Sequence, residues 1–551
     1  MTMVSLVISQ TEIISKQVFI VEPIDNKSGN SSSSSTVDRQ MSHLKAVCLL
    51  RPCKASISAL EGALRKPKFK EYHIFFTNFV TDAALRSIAA ADDFELVKQL
   101  QEYYADYYAV NEDLWHANMG RSRSLYGKRS HWTSADHDVL QRITQAILAM
   151  MLSAKKRPVV RYQNASSLAQ TVAKEVIRGM KEESQVFDFR DSSRPVLLIL
   201  DRREDPITPL LMQWTYQAMV HELLTITNNR VDMRNCPNVK KDMAQVVMSI
   251  TQDQFFRESY TFNYGDLGKA IKGLVNKYKE KKTSQKIDTI QDMQRFVEQY
   301  PELKTFQGNV SKHVGVMVEM NRRVKEEKLM AVSEVEQNLA CDKSHGTAVQ
   351  EVMRMLGDSK VSFKRKVCIS ALYHLRYERH RGNEMATIRS LLKDQAKTPT
   401  NQKLVRFVDE IIRYAGEKVR GGELYGSRGG FFSSLKSVFS GGLSEIENVY
   451  TRYKPILSSV LDTLLKGNLS VQDYPYMDQV GSSNVDNVFV FVIGGVTYSE
   501  AALVAAINKS SSGCRVILGG SCIHNSTSFI NDVLGLFPDM KEVEIDIKAE
   551  G

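Results

Sequence analysis

Three carboxylates crowd one short stretch of this 551-residue chain: Asp201, Glu204 and Asp205 in LLILDRREDPITPL, directly after an apolar run that reads as a buried strand. Open α/β sheets bind ligands at the C-terminal ends of such strands, so a metal or nucleotide site is one reading. The other is a helix start, with Thr208 as N-cap, Pro209 at the first helical position and Asp205 favouring the helix dipole. The residue types favour the second. His221 and Glu222 open an HELLT string like that of zinc proteases, but position 225 is Thr where the second imidazole must stand one turn on. Paired glycines follow strands in VIGGVTYSEAA and ILGGSCIHNS, yet neither completes GxGxxG or GxxxxGK, and tight strand-to-helix turns account for them. Ser521 lies in GGSCI rather than GxSxG, without a nearby histidine and acid to activate it. No catalytic residue, cofactor or metal site is expected.

The seven cysteines are odd in number and never spaced CxxC, which suits a reducing compartment and gives no zinc framework; Cys514 and Cys522 read as small hydrophobes. No run reaches the roughly 18 apolar residues of a membrane span, and the first residues lack the basic start of a signal peptide. A cytosolic protein is expected. At 43% hydrophobic and 25% charged residues, wholesale disorder and collagen-like repetition are excluded. The length allows about three or four domains.

The elements that must position these residues alternate first between strand and helix. VSLVIS, QVFIVEPI, LKAVCLLRP, YHIFFTNF and YYAVN read as strands with SISALEGALRK and FELVKQLQEYY as helices between them, which predicts a parallel α/β domain over residues 1–120. A serine run at 31–35 is a solvated loop. The α/β rhythm continues over 121–222 and returns over 470–551 with VFVFVIGG and CRVILGG. A sheet is needed to receive those strands, and PVLLIL supplies it, so the second α/β domain is discontinuous. Residues 223–469 between its halves are mainly helical. From Asn309 to Leu339 apolar residues recur at helical spacing (Val310, Val314, Met317, Val324, Val332, Val335, Leu339), a segment of roughly 45 Å. The Gly- and Ser-rich stretch 421–446 reads as a mobile loop.

Charge is unevenly placed. Of the net +10, residues 360–420 hold fifteen Lys and Arg against six Asp and Glu. A solvated helix face is the first reading, with attraction to an acidic membrane or protein surface next. Only Tyr373 and Tyr377 accompany the charge, too few stacking aromatics for a nucleic-acid module, so no nucleic-acid partner is expected.

The string LLILDRREDPITPLLMQWTYQAMVHELLTITNNRVDM strongly resembles the SM (Sec/Munc) family of SNARE-binding proteins, and SEVEQNLAC, LYHLRYERH, IENVYTRYKPIL, FVIGGVTYSEA and VILGGSCIHNSTSF extend the likeness in order along the chain. The resemblance implies a three-domain arch of two parallel-sheet α/β domains, the second discontinuous, and a large helical domain. It implies a monomeric, non-enzymatic chaperone. Such a protein binds a syntaxin-type SNARE of trans-Golgi and endosomal type and promotes assembly with the vesicle SNARE for docking and fusion. A rabenosyn-like Rab effector is a further implied partner, and peripheral association with Golgi and endosomal membranes an implied location.

By the same resemblance Glu22, in FIVEPI, faces the SNARE across the central cavity; Phe94, Tyr107 and Tyr108 fall near a pocket for the syntaxin N-terminal peptide. Pro301, in EQYPELKTF, hinges a helical hairpin at about 287–340 whose long helix, with Val310, Val314, Met317 and Val324, templates the vesicle SNARE. Relatives carry a helix and strand before the segment matching VSLVISQTEI, so domain 1 is expected to lack its first helix and strand. A nucleotide-dependent α/β enzyme and a basic membrane-surface adaptor remain the competing classes, the first weakened by the missing phosphate loop.

Overall fold

The computed structural model describes residues 10–18, 20–24, 43–119, 125, 129–189, 195–237, 239, 243–283, 290–341, 344–420, 424, 449–478, 485–511 and 513–537. The chain divides into two compact units, one of residues 1–108, 140–158 and 175–192, the other of 109–139, 159–174 and 193–551.

In the first unit a short helix α1 (Gln10–Ser15) precedes three parallel strands, β1 (Lys45–Leu50), β2 (Glu71–Phe76) and β3 (Val97–Glu102), paired in that order. Helices α2 (Lys54–Arg65) and α3 (Asp82–Ala91) fill the crossovers. Alternation along β2 sends Tyr72, Ile74 and Phe76 inward, where Leu60 and Leu64 of α2 and Ile88 and Ala91 of α3 close the core. Thr81 caps α3 by accepting a hydrogen bond from the Ala84 N–H.

FELVKQLQEYY, expected as a helix, carries strand β3 instead, its residues pairing with β2, and the crossover helix is α3 ahead of it. Two expected strands also do not fall as read. QVFIVEPI joins no ladder among the described residues: Gln17 takes a left-handed turn at φ 61° and Pro23 has no N–H to donate. YYAVN does form a strand, β4 (Tyr108–Asn111), but it pairs in a six-stranded sheet and, Tyr108 apart, falls in the second unit. VSLVIS, the serine run and, apart from Leu424, the stretch 421–446 lie outside the described residues.

That sheet combines β4 with β5 (Leu114–His116), β6 (Val159–Tyr162) and β7 (Val196–Asp201). A helical region follows: α4 (Tyr216–Leu224), a small antiparallel sheet of β8 (Ile226–Thr227), β9 (Arg230–Asp232) and β10 (Gln245–Val247), then α5 (Gln254–Ser259), α6 (Tyr264–Thr283), α7 (Ile290–Glu326), α8 (Leu329–Cys341), α9 (Phe363–Tyr377) and α10 (Pro399–Ala415). The chain then returns to the sheet as β11 (Asn487–Ile493), β12 (Val496–Thr497), β13 (Arg515–Gly520), β14 (Ile523–His524) and α11 (Ser526–Gly535). The order is β4-β5-β13-β11-β7-β6, with β7 and β11 in parallel register, Val488 opposite Val196. The late strands thus join the strand of PVLLIL, as the sequence rhythm requires. All six residues of β7 are buried, the continuous apolar run of a parallel strand covered on both faces. Val335 and Leu339 of α8, Leu372 of α9, Phe407 and Ile411 of α10 and Phe529 of α11 share one core.

The basic run at 360–420 is not one solvated face. Arg365, Lys366 and Arg420 are buried: Arg365 lies between carboxylates, Lys366 donates to the Leu356 carbonyl at 2.8 Å, and Arg420 donates to the Ala415 carbonyl at 2.7 Å. Arg379 pairs with Glu417, and Arg389 with Asp409. Three of the fifteen basic residues are thus buried, and the other twelve remain at least partly exposed.

Candidate functional site

The carboxylates after β7 are structural. Asp201 is buried and accepts from Ser166 Oγ at 2.6 Å and from Arg203. Asp205 accepts from Thr208 N–H at 3.0 Å and Thr208 Oγ1 at 2.6 Å, then from the Ile456 N–H at 3.2 Å. Thr208 is therefore the first residue of a 3-10 turn, capped by Asp205, and not the cap itself as its residue type suggested. Arg202, buried beside them, forms a bidentate pair with Glu500 at 2.7 Å and donates to the Gly495 carbonyl at 3.0 Å. Glu500 lies 298 residues away and escaped the sequence reading. Thr497 and Glu500 also cap their helix reciprocally.

The HELLT residues are equally occupied. His221 Nδ1 accepts from the Ile226 N–H at 3.1 Å, and burial holds its imidazole down to about 4 against the pull of Glu222. Glu222 accepts from Arg365 at 2.6 Å, Lys364 at 3.0 Å and the Ser526 N–H at 2.9 Å. On the other side of Arg365, at 3.6 Å, stands Glu336 of α8, whose second oxygen accepts from the Met212 N–H at 2.6 Å. Glu336 is wholly buried, and burial pushes its carboxyl up to about 7 although Arg365 pulls it down.

Cys522, His524 and Asp532 bring possible ligand atoms within 4.8 Å of one another, a grouping not foreseen from sequence. Burial keeps the Cys522 thiol protonated; burial and the neighbouring Arg202 hold His524 down to about 3, and His524 Nε2 lies 2.7 Å from the Gly494 carbonyl.

The extended candidate is the hairpin of α6 and α7, which pack together. Leu267, Ile271 and Leu274 form the inward stripe of α6, and Tyr278 meets Phe306 of α7 with ring centroids 6.0 Å apart. Helix α7 is 37 residues long, about 55 Å at 1.5 Å per residue. It begins at Ile290, not near Asn309, so Pro301 lies within the helix rather than at its start. A helix-interior proline removes one backbone hydrogen bond and costs about 3 kcal/mol.

Val310, Val314, Met317 and Val324 are the residues expected to template the vesicle SNARE. Val310 and Val324 are buried and Val314 and Met317 half-buried, so in this structure the stripe holds α7 to the body. The outward apolar residue is Val318, 62% exposed. Glu22 is exposed, in a segment without helix or strand. Phe94 is exposed between α3 and β3, whereas Tyr107 is half-buried with its hydroxyl 2.9 Å from Ser153 Oγ and Tyr108 is buried. Of the three aromatics Phe94 is the most exposed and Tyr108 is buried.

Among the described residues no helix is long and apolar enough to cross a membrane. The model of the Sec1 family matches residues 1–532. The human vacuolar protein sorting-associated protein 45 is 40% identical over 548 residues, covering 98% of this chain and 92% of the relative. Its counterpart from Dictyostelium discoideum is 39% identical, covering 96% and 91%. A solved structure described as SM Protein Vps45 in complex with Qa SNARE Tlg2 (1-310) superposes with a TM-score of 0.86 at 40% identity, over 97% of this chain and 92% of that one.

Proposed function

The chain belongs to the Sec1 family of SM proteins, and from that premise we propose that it is a SNARE-binding chaperone of trans-Golgi and endosomal transport. It binds a syntaxin-type SNARE and promotes assembly of the SNARE complex for vesicle docking and fusion. The observation that carries this reading is the likeness, along nearly the whole chain, to a relative solved with a Qa SNARE bound.

SNARE motifs are amphipathic and largely disordered alone, so a long helix that aligns two of them reduces the ordering entropy of assembly. The α6–α7 hairpin is the template, Pro301 its hinge, and the outward side of α7 around Val318 the contact surface. Val310, Val314, Met317 and Val324 serve that template from behind, by fixing it to the body. Glu22 and Phe94 contribute contacts from the first unit. A rabenosyn-like Rab effector supplies recruitment to Golgi and endosomal membranes, where the chain sits peripherally.

The test is coelution of this chain with cytosolic domains of endosomal syntaxins, followed by the rate of SNARE-complex formation with and without the chain. Coelution and a faster rate are expected. Absence of both with every endosomal syntaxin tried would sink the assignment.

A further inference from the structure

Two local spacings bring Cys522, His524 and Asp532 together. Cys522 and His524 flank Ile523 of β14, and side chains two apart on a strand share a face. Ser528 and Asp532 are one turn apart on α11, so both stand on the side of that helix that meets the His524 ring. The start of α11 is fixed by its cap, in which Asn525 Oδ1 accepts from the Ser528 N–H at 2.8 Å and Ser528 Oγ accepts from the Asn525 N–H at 3.0 Å. The same cap holds Asp532 against His524.

Cys522 Sγ lies 3.4 Å from His524 Nε2, Nε2 lies 3.6 Å from Asp532 Oδ2, and the three side chains bring their donor atoms within 4.8 Å of one another. Zinc bonds of about 2.3 Å to sulfur and about 2.0–2.2 Å to nitrogen and oxygen, arranged tetrahedrally, separate their donors by about 3.4–3.6 Å. Two edges of such a tetrahedron are therefore in place, and the third spans at most 4.8 Å. Glycine at 495 leaves one side of the donors clear, since a Cβ there would stand 2.7 Å from Sγ and 2.8 Å from Nε2. His524 is buried, while Cys522 and Asp532 keep part of their surface exposed and give an ion a route from solvent.

We propose that Cys522, His524 and Asp532 form a zinc site, three protein ligands with solvent as the fourth, that ties the turn after β13 to α11. The donor set selects the ion: magnesium and calcium take six or more oxygens, whereas one sulfur, one nitrogen and one oxygen in a tetrahedron suit zinc. A metal-bound imidazole needs a partner for its other nitrogen, and His524 Nδ1 has Ser528 Oγ at 3.0 Å. In this structure Nε2 carries the proton and donates to the Gly494 carbonyl at 2.7 Å. Binding moves that proton to Nδ1, where Ser528 Oγ accepts it, and releases the Cys522 thiol proton to solvent. Burial disfavours the thiolate only while it stands alone; thiolate and carboxylate together match the double charge of the ion. Arg202 nearby is already neutralised by Glu500, which accepts from it at 2.7 Å through both oxygens. The site stands independently of the SNARE reading.

The test uses the full-length chain with the exposed Cys53 and Cys341 replaced by serine, reduced, stripped with a chelator and titrated with cobalt(II), a coloured stand-in for zinc. One equivalent is expected to give the visible absorption of a tetrahedral ion and a near-ultraviolet sulfur-to-cobalt band, both abolished by added zinc. Excess zinc is expected to raise the thermal midpoint. Cys522→Ser is expected to remove the sulfur band, and Asp532→Asn to weaken cobalt binding by at least about tenfold, with circular dichroism confirming the fold of each variant. A parent chain that binds no cobalt, or binds it without a sulfur band, overturns the site. So does a sulfur band that survives Cys522→Ser, or undiminished affinity in Asp532→Asn. Should Cys522→Ser fail to fold, the parent titration and Asp532→Asn decide the matter by themselves.

Discussion

Glu336→Gln tests the buried charge network at its weakest point. The Glu336 carboxyl normally titrates near 4.5 and is pushed up to about 7 here, because burial outweighs the attraction of Arg365. The folded state therefore keeps a proton that the unfolded chain releases between those values. The carboxyl's contribution to stability is complete below pH 4.5 and is lost as pH rises through 7. At about 1.4 kcal/mol per pH unit, the interval from 4.5 to about 7 is worth about 3 kcal/mol. His221 and His524 act with the opposite sign, since burial lowers them to about 4 and about 3; their contribution is complete above pH 6.5 and is lost as pH falls through those values. Both histidines are present in parent and variant, so subtracting the two stability curves isolates Glu336. Gln keeps an acceptor for the Met212 N–H but does not titrate. Urea unfolding followed by tryptophan fluorescence is a suitable assay, because Trp214 Nε1 donates to Ser333 of the same helix at 2.8 Å. The expected result is a difference that moves in the parent's favour by about 3 kcal/mol from pH 8 to pH 4.5. Parallel curves across that range would refute the reasoning.

Pro301→Ala restores a backbone donor within α7 and is expected to stabilise that helix locally by up to about 3 kcal/mol; stronger hydrogen-exchange protection at 297–305 is the readout, and unchanged protection removes the hinge. Gly495→Ala demands a side chain at φ +95°, with a Cβ 2.6 Å from His524 Cδ2 and 2.7 Å from Cys522 Sγ, so the thermal midpoint should fall by several degrees; an unchanged midpoint contradicts the close packing of that turn. Val318→Asp alters an exposed position and should leave stability within about 0.5 kcal/mol while weakening SNARE binding in a titration; undiminished affinity takes that face out of the interface.

The α/β class of the sheets, the late return of β11 and β13 to the sheet of β7 and the structural use of Asp205 were legible from local pattern. Each depends on neighbours within a few residues or on one uninterrupted apolar run. What the pattern concealed depended on distant partners. Nothing near Arg202 announces Glu500, and nothing near His313 announces Tyr216 and Asp253. The stripe Val310 to Val324 was correctly read as one apolar face, but periodicity cannot say whether such a face meets a partner protein or the chain's own body. The basic run at 360–420 hid its three buried members, Arg365, Lys366 and Arg420, for a related reason: a count of charges ignores the carboxylates and carbonyls that fold against them.

The pairing of β7 with β11 also governs how the protein comes off the ribosome. The two strands are separated by roughly 290 residues, and at about 5–20 residues per second synthesis of the second lags the first by roughly 15–60 s. Throughout that interval the apolar ribbon Val196–Leu200 has no neighbour on its β11 side, far longer than the microseconds to milliseconds a nascent chain needs to collapse. Holdase chaperones therefore have a defined target and a defined window during translation. A chain cut short before Asn487 is expected to aggregate rather than fold, whatever the integrity of the helices already made.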